Sequence, residues 1–167
     1  MRRNYGVAKI IVADAFLLPK VPPVLEFANY PVIPANDRKC RYCRNPYSHI
    51  VNAKTPNRYP RRSQSSGYRV TLLYVALPSA QLAKRRVARR VKEGGHSILD
   101  NIIERRFYRS LENLIHAYRV VVDEWFVYDN SELKTPALVA QGRGVGENII
   151  EEQKWQRLLK LAKTNER

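Results

Sequence analysis

Glycine is scarce in this sequence, and its distribution excludes one large class of nucleotide site. The 167 residues include only 7 glycines, and none lies between Gly6 and Gly67. A phosphate-binding loop needs the pattern GxxxxGK followed by Ser or Thr, because its backbone N–H groups surround the phosphates of the nucleotide. This pattern does not occur anywhere in the chain. A complete P-loop is therefore excluded.

Cysteine and long apolar runs are also lacking. The two cysteines, Cys40 and Cys43, cannot build a disulfide framework. With His49 they offer three local ligands, whereas a structural zinc site needs four, so we assign no metal. No run approaches the roughly 18 apolar residues of a membrane span, and no signal-peptide core follows Met1. We expect no membrane partner and a cytoplasmic location.

Acidic residues are few relative to basic ones. The chain has 15 Asp and Glu against 30 Lys and Arg, a formal net charge of +15, and a pI near 10.2. Such an excess attracts polyanions, including nucleotides and nucleic acid. The simpler alternative is an arginine-rich, solvated surface with no ligand.

The composition changes near Gly67. Eight of the ten prolines precede residue 61, and proline interrupts both helices and the ladders of strands. We therefore predict that residues 1–66 form a basic, Pro-rich, mostly irregular segment. Val7 to Leu18 is an exception that could form a strand or a buried helix. If Val7 to Ala15 is a strand, it could complete the sheet of the following domain.

Residues 67–163 have the pattern of an α/β domain. Val70 to Leu77 is a continuous β-favouring run, typical of a strand covered on both faces. Ser79 is placed to cap a helix that ends at Gly94-Gly95. Ser97 and Asp100 form the pattern of a capping box for a second helix. The second helix has five apolar residues at helical spacing, namely Ile103, Phe107, Leu111, Leu114 and Tyr118.

The last third of the chain adds a strand and a helix. Residues 125–128 form a short apolar run that predicts the strand. Ile149 to about Lys163 predicts the closing helix, whose expected buried residues are Ile150, Trp155, Leu158, Leu159 and Ala162. The order strand, helix, helix, strand, helix favours parallel strands with flanking helices.

An ordered set of motifs resembles the C-terminal half of the zeta-toxin family of P-loop kinases. The motif RVxxGGH begins at Arg90, RRFxRSLxNL begins at Arg105, and Tyr-Asp-Asn-Ser begins at Tyr128. Residues 137–140, Gly142 and Trp155 are similar to the tail of that family. The resemblance covers about residues 67–160, with one departure at Leu99, where relatives often have proline. It implies part of a three-layer P-loop-kinase fold.

The resemblance also implies a function. The family transfers a phosphoryl group from ATP, with magnesium, to a small hydroxyl substrate, of which UDP-activated amino sugars are the best known, and it has antitoxin protein partners. Helices flanking Gly94-Gly95-His96 would form a lid with arginines at the triphosphate. By position, Arg90, Arg105 and Arg106 are the catalytic candidates. Arg90, Arg106 and Arg109 are the candidates for binding the ATP phosphates.

Since the P-loop is absent, we expect a truncated member of the family that is inactive by itself. One alternative is a non-enzymatic protein that binds nucleic acid non-specifically, through basic and tyrosine side chains of the N-terminal segment such as Tyr42, Tyr47, Arg58 and Arg61. A further alternative is a chain whose C-terminal half folds incompletely and has no present function. The solvated helix face remains an alternative for the arginines.

Overall fold

The structure is a computed structural model that describes residues 6–13 (as backbone), 58–65, 68–132, 136–144 and 146–163. Cys40, Cys43, His49, Tyr42 and Tyr47 lie outside these residues. In chain order the elements are β1 (Gly6–Ala13), α1 (Arg58–Ser65), β2 (Tyr68–Ala76), α2 (Ala80–Lys92), α3 (Asp100–Asn113), a π-helical turn (Leu114–Tyr118), β3 (Glu124–Asp129), β4 (Ala137–Arg143), β5 (Gly146–Ile149) and α4 (Glu152–Lys163).

The five strands form one mixed sheet in the order β1-β2-β3-β4-β5. β1, β2 and β3 are parallel, whereas β4 is antiparallel to β3 and β5 is antiparallel to β4. The prediction of parallel strands is confirmed for β2 and β3, and it missed β4 and β5. The reason is the length of the connections: residues 130–136 and 144–145 are too few for the crossover that a parallel neighbour requires.

β2 lies inside the sheet, and every residue from Val70 to Leu77 is buried, as predicted for a strand covered on both faces. Leu72 and Tyr74 point to the same face as Trp125 and Val127 of β3. These side chains form a continuous core with the buried sides of α2, α3 and α4. The helices α2, α3 and α4 therefore pack on one face of the sheet through a shared apolar layer.

The predicted buried face is confirmed: Ile103, Phe107 and Leu111 of α3 are buried, and so are Leu114 and Tyr118 in the π-helical turn. The predicted capping box is wrong. Leu99 is the N-cap residue, no side chain caps the helix, and Ser97 is exposed. The carbonyl of Leu99 accepts from Ile102 and Ile103 at 2.9 and 3.1 Å, so the helix begins two residues later than the capping box requires.

The predicted start of the closing helix is also wrong. Ile149 belongs to β5, and Ile150 is 48% exposed rather than buried. The N–H groups of Ile150 and Glu151 both donate to the carbonyl of Val139, which keeps this segment on the sheet until α4 begins at Glu152. Trp155, Leu158 and Ala162 are buried as predicted, and Leu159 packs against the core.

Two elements lie in the N-terminal segment. Of the two options for Val7 to Leu18, the strand is the one found, and it pairs in parallel with β2. The helix α1 was not predicted; its Gln64 donates to the carbonyl of Val121 at 2.7 Å, next to the start of β3. Among the described residues no helix has the length and apolar character needed to cross a bilayer.

Candidate functional site

The helices α2 and α3 form a hairpin that starts at the carboxyl end of β2. The side chain of Ser79 accepts from the N–H of Leu82, so the predicted cap is confirmed. Ala80, Ala83 and Val87 form the buried stripe of α2. The helix ends at the predicted glycines. Gly94 has φ +91, a backbone conformation that residues other than glycine rarely adopt.

The hairpin extends beyond the carboxyl edge of the parallel strands. Ser110 of α3 is 2.8 Å from the hydroxyl of Tyr74, and Asp123 after the π-helical turn donates to the carbonyl of Val70. α3 therefore runs antiparallel to β2. Asp100 precedes Ser110 by about 15 Å of helix, whereas Tyr74 precedes the end of β2 by only about 7 Å. The first turns of α3 and the Gly94-Gly95 turn therefore lie past the edge of the sheet.

Two polar contacts hold the hairpin, one between its two helices and one to the end of the sheet. Lys84 of α2 is 2.7 Å from Glu104 of α3, and this hydrogen bond raises the pKa of Lys84 above its ordinary value. Arg86 donates to the carbonyl of Asn130, directly after β3. Burial lowers the pKa of Arg86 from its ordinary value, and the nearby charge of Asp129 opposes that shift. Lys84 thus joins the two helices, and Arg86 ties α2 to the end of β3.

A small surface pocket of about 20 Å³ lies at the same edge of the sheet. Its lining combines apolar and charged side chains: Ala76, Leu77, Pro78, Asp129, Val139, Lys154, Arg157 and Leu158. Lys154 is 3.3 Å from the carboxylate of Asp129, and that carboxylate also accepts from the backbone and hydroxyl of Ser131. Ligands of open α/β sheets bind outside the carboxyl ends of the strands, which is where this pocket lies.

Arg90 is a second arginine on the side of α2 that carries Arg86. It follows Arg86 by one helical turn and therefore shares its face. Its side chain passes close to Gly95, where an added Cβ would come within 2.8 Å of Cγ of Arg90. Arg90 is half-buried. The second glycine of the turn therefore gives the arginine stem room to cross the connection between the helices.

The three predicted arginines of α3 occupy different sides of that helix. Arg105 and Arg109 are exposed and lie opposite the buried face formed by Ile103 and Phe107. Arg106 is exposed on the flank of α3 away from Glu104. None of these three, nor Arg90, lines the pocket at the sheet edge. The structure therefore places the stem of Arg90 at the Gly94-Gly95 turn and directs Arg105 and Arg109 outward.

The sequence analysis missed the three charged residues of the pocket, Asp129, Lys154 and Arg157. Asp129 could have been found, because it ends a predicted parallel strand, and such positions meet ligands in α/β proteins. Lys154 and Arg157 lie three residues apart on α4, and their sequence resembles any solvated helix face. Only the packing of α4 against β3 and β4 brings them to this edge.

The charged side chains at this edge are two cations and one carboxylate, Lys154, Arg157 and Asp129. Guanidinium groups match phosphate oxygens in charge and geometry. Within the residues that the structure describes, no group of three or more His, Cys, Asp or Glu side chains could hold a metal ion.

Comparisons with known proteins identified no relative: no family model, no curated protein and no solved structure matches this chain.

Proposed function

We propose that this chain is the lid half of a zeta-toxin-like, ATP-dependent phosphotransferase, and that it binds nucleotide phosphates without transferring a phosphoryl group by itself. The observation that carries the proposal is the position of the hairpin. It extends past the carboxyl edge of β2 and β3, and Arg90 lies one turn beyond Arg86, the residue that donates to Asn130 directly after β3.

Arg90 is the phosphate ligand on which this proposal rests. A guanidinium that lies beside the phosphates can donate two parallel hydrogen bonds and neutralise charge, and this electrostatic work dominates catalysis of phosphoryl transfer. The half-buried position of Arg90 strengthens such contacts, because less water competes for the phosphate oxygens.

The chain lacks the backbone cradle that the phosphates also need. Since GxxxxGK followed by Ser or Thr is absent, no residue occupies the role of the P-loop lysine or of the hydroxyl that serves magnesium. We therefore assign binding and orientation to this chain and derive no transfer step. The acceptor of a complete enzyme of this kind would be a small hydroxyl compound such as a UDP-activated amino sugar.

A thermal-shift titration with ATP and magnesium tests the proposal. A ligand that binds only the folded state stabilises it by about 2.7 kcal/mol at one hundred times its Kd, so we expect the melting temperature to rise with concentration. The variant Arg90→Gln should lose this rise. Arg89→Gln is the matched control, because Arg89 is adjacent, exposed, and paired with Glu93 on the far side of the helix.

Two results would contradict the proposal. The first is an unchanged melting temperature of the wild-type chain up to millimolar nucleotide. The second is an equal rise in both variants, which would locate binding away from Arg90. Gly95→Ala gives a further check, because the added Cβ would lie 2.8 Å from Cγ and 2.9 Å from the carbonyl oxygen of Arg90, and it keeps the charge of the arginine. Its melting temperature without ligand shows whether the turn still folds.

A further inference from the structure

The outer side of the hairpin carries a row of cations that the proposed nucleotide site does not use. On α2 the row consists of Arg85, Arg89 and Lys92, at spacings of four and three residues. At 3.6 residues per turn these positions lie opposite Ala83 and Val87, the buried side of the helix. All three side chains are exposed. The row is therefore a stripe about 10 Å long that faces solvent.

The neighbouring helix has a second, shorter row. Arg105 and Arg109 lie one turn apart on the exposed side of α3, opposite Ile103 and Phe107. The two helices are antiparallel neighbours joined by Lys84 and Glu104. The projecting part of the molecule thus has cations along the outer sides of both helices.

Few acidic groups neutralise these rows. Residues 80–113 contain nine Lys and Arg and four acids, which are Glu93, Asp100, Glu104 and Glu112. Glu93 pairs with Arg89 and Glu104 pairs with Lys84. Within the residues that the structure describes, Arg85, Lys92, Arg105 and Arg109 take part in none of the ion pairs. A dense array of unneutralised cations on one projecting element favours a polyanionic partner.

We propose that the outer rows of the α2–α3 hairpin dock on the phosphate backbone of a nucleic-acid duplex, without reading its sequence. The proposal does not depend on the nucleotide site at Arg90. A duplex carries one charge per about 1.7 Å of its axis, so a 10 Å stripe of three cations meets several phosphates at once. Contacts of this kind give affinity and orientation but no base specificity.

The side chains around the rows favour a duplex over a single strand or a membrane. Binding of single strands uses exposed aromatic rings on which bases stack. The two aromatic residues of α3 are unsuited to this, because Phe107 is buried and Tyr108 is half-buried against it, ring edge to ring face at 5.2 Å. Interfacial membrane helices need large apolar side chains on the binding face. Among the described residues of the hairpin, the exposed large hydrophobic is Leu99, at its tip.

The test compares two triple variants that lose the same charge. One removes the α2 row as Arg85→Gln, Arg89→Gln and Lys92→Gln. The control removes three exposed cations elsewhere as Arg143→Gln, Lys160→Gln and Lys163→Gln. The probe is a fluorescent DNA duplex of random sequence, and its anisotropy gives Kd at several salt concentrations. Thermal melting of both variants checks that they fold.

We expect the row variant to bind the duplex at least about tenfold more weakly at low salt, with the control close to wild type. The slope of log K against log salt should become shallower by about 2.7 for the three lost phosphate contacts. Equal losses in the two variants would overturn the proposal, since total charge would then explain the affinity.

Two further probes decide the kind of partner. Tighter binding of a single strand of equal length would overturn the duplex assignment, and so would tighter binding of vesicles made of phosphatidylcholine and phosphatidylserine. The nucleotide site is separable in this design. The row variant keeps Arg90, so its thermal shift with ATP and magnesium should persist if the proposed function is correct, whatever the result with DNA.

Discussion

Arginine serves two opposite purposes in two regions of this molecule. Near the start of β3, Arg119 lies over the rings of Trp125 and Trp155, 4.8 and 5.1 Å from their centroids, and also pairs with Glu147 at 2.8 Å. On the outer side of the hairpin, Arg105 and Arg109 are exposed to water. Arg119 therefore contributes to packing, whereas Arg105 and Arg109 are accessible to a ligand.

The neighbours of each arginine, and not its own chemistry, decide which purpose it serves. The two tryptophan rings stack at 5.8 Å with an angle of 13° between their planes, and both are buried. Such rings attract a cation through their π faces, and the gain grows when water is excluded. The outer side of α3 has no comparable platform. A count of arginines therefore says little about function until each one is located.

The largest expected effect concerns the space occupied by the tryptophan rings. A Cβ added at Gly142 of β4 would lie 2.4 Å from ring atoms of Trp125, too close for any side chain. Gly142→Ala should therefore lower the free energy of unfolding by about 1–3 kcal/mol, the usual cost of overpacking. Urea denaturation measures this change.

Gly146→Ala on β5 is the matched control, because its added Cβ meets its nearest neighbour at an ordinary 3.5 Å. It should change the unfolding free energy by no more than about 0.5 kcal/mol. Equal destabilisation by the two substitutions would mean that the stack of rings is not a rigid part of the fold.

The next effect tests the comparison between the arginines directly. Arg119→Met keeps an apolar stem over the rings but removes the cation and its pairing with Glu147. We expect a loss of about 1–2 kcal/mol, the range for a cation over an aromatic face that is shielded from water. Arg105→Met on the exposed side of α3 should change stability by less than about 0.5 kcal/mol. Thermal and urea unfolding measure the loss of stability in both variants. Similar losses would show that the two arginines do not differ in their contribution to packing.

The smallest effect concerns the start of each helix in the hairpin. Ser79→Ala removes the hydroxyl that accepts from Leu82 and should destabilise the protein by about 1 kcal/mol. Ser97→Ala, at the position where the sequence predicted a cap, should have little effect, because Ser97 is exposed and Leu99 is the N-cap residue. A larger loss at Ser97 than at Ser79 would show that α3 begins earlier in solution.

Apart from the start of α3, local patterns predicted the elements of the hairpin well, because their causes are local. The Ser79 cap, the stop at Gly94-Gly95 and the apolar spacing of α3 each depend on residues within a few turns. The start of α4 failed for the opposite reason. Ile149 and Ile150 suit either a helix or a strand. Hydrogen bonds from Ile150 and Glu151 to the carbonyl of Val139 on β4 keep this segment on the sheet, and local sequence does not encode them.

The candidate site was predictable only in part. The motifs around the double glycine selected Arg90, and the structure places its half-buried stem beside Gly95. The same motifs selected Arg105 and Arg109, which the fold turns outward. Asp129, Lys154 and Arg157 come from β3 and α4, and no pattern in the sequence records that these two elements meet.

The sequence alone determined the excess of positive charge, the absence of a P-loop, the buried strand β2 and the two helices that follow it. These depend on composition or on spacing within one element. The tertiary structure decided which cations face the core, the sheet edge or water. It also decided that β4 and β5 extend the sheet in antiparallel order. The physical reason is that burial and strand pairing are set by neighbours far apart in sequence, which local propensity does not encode.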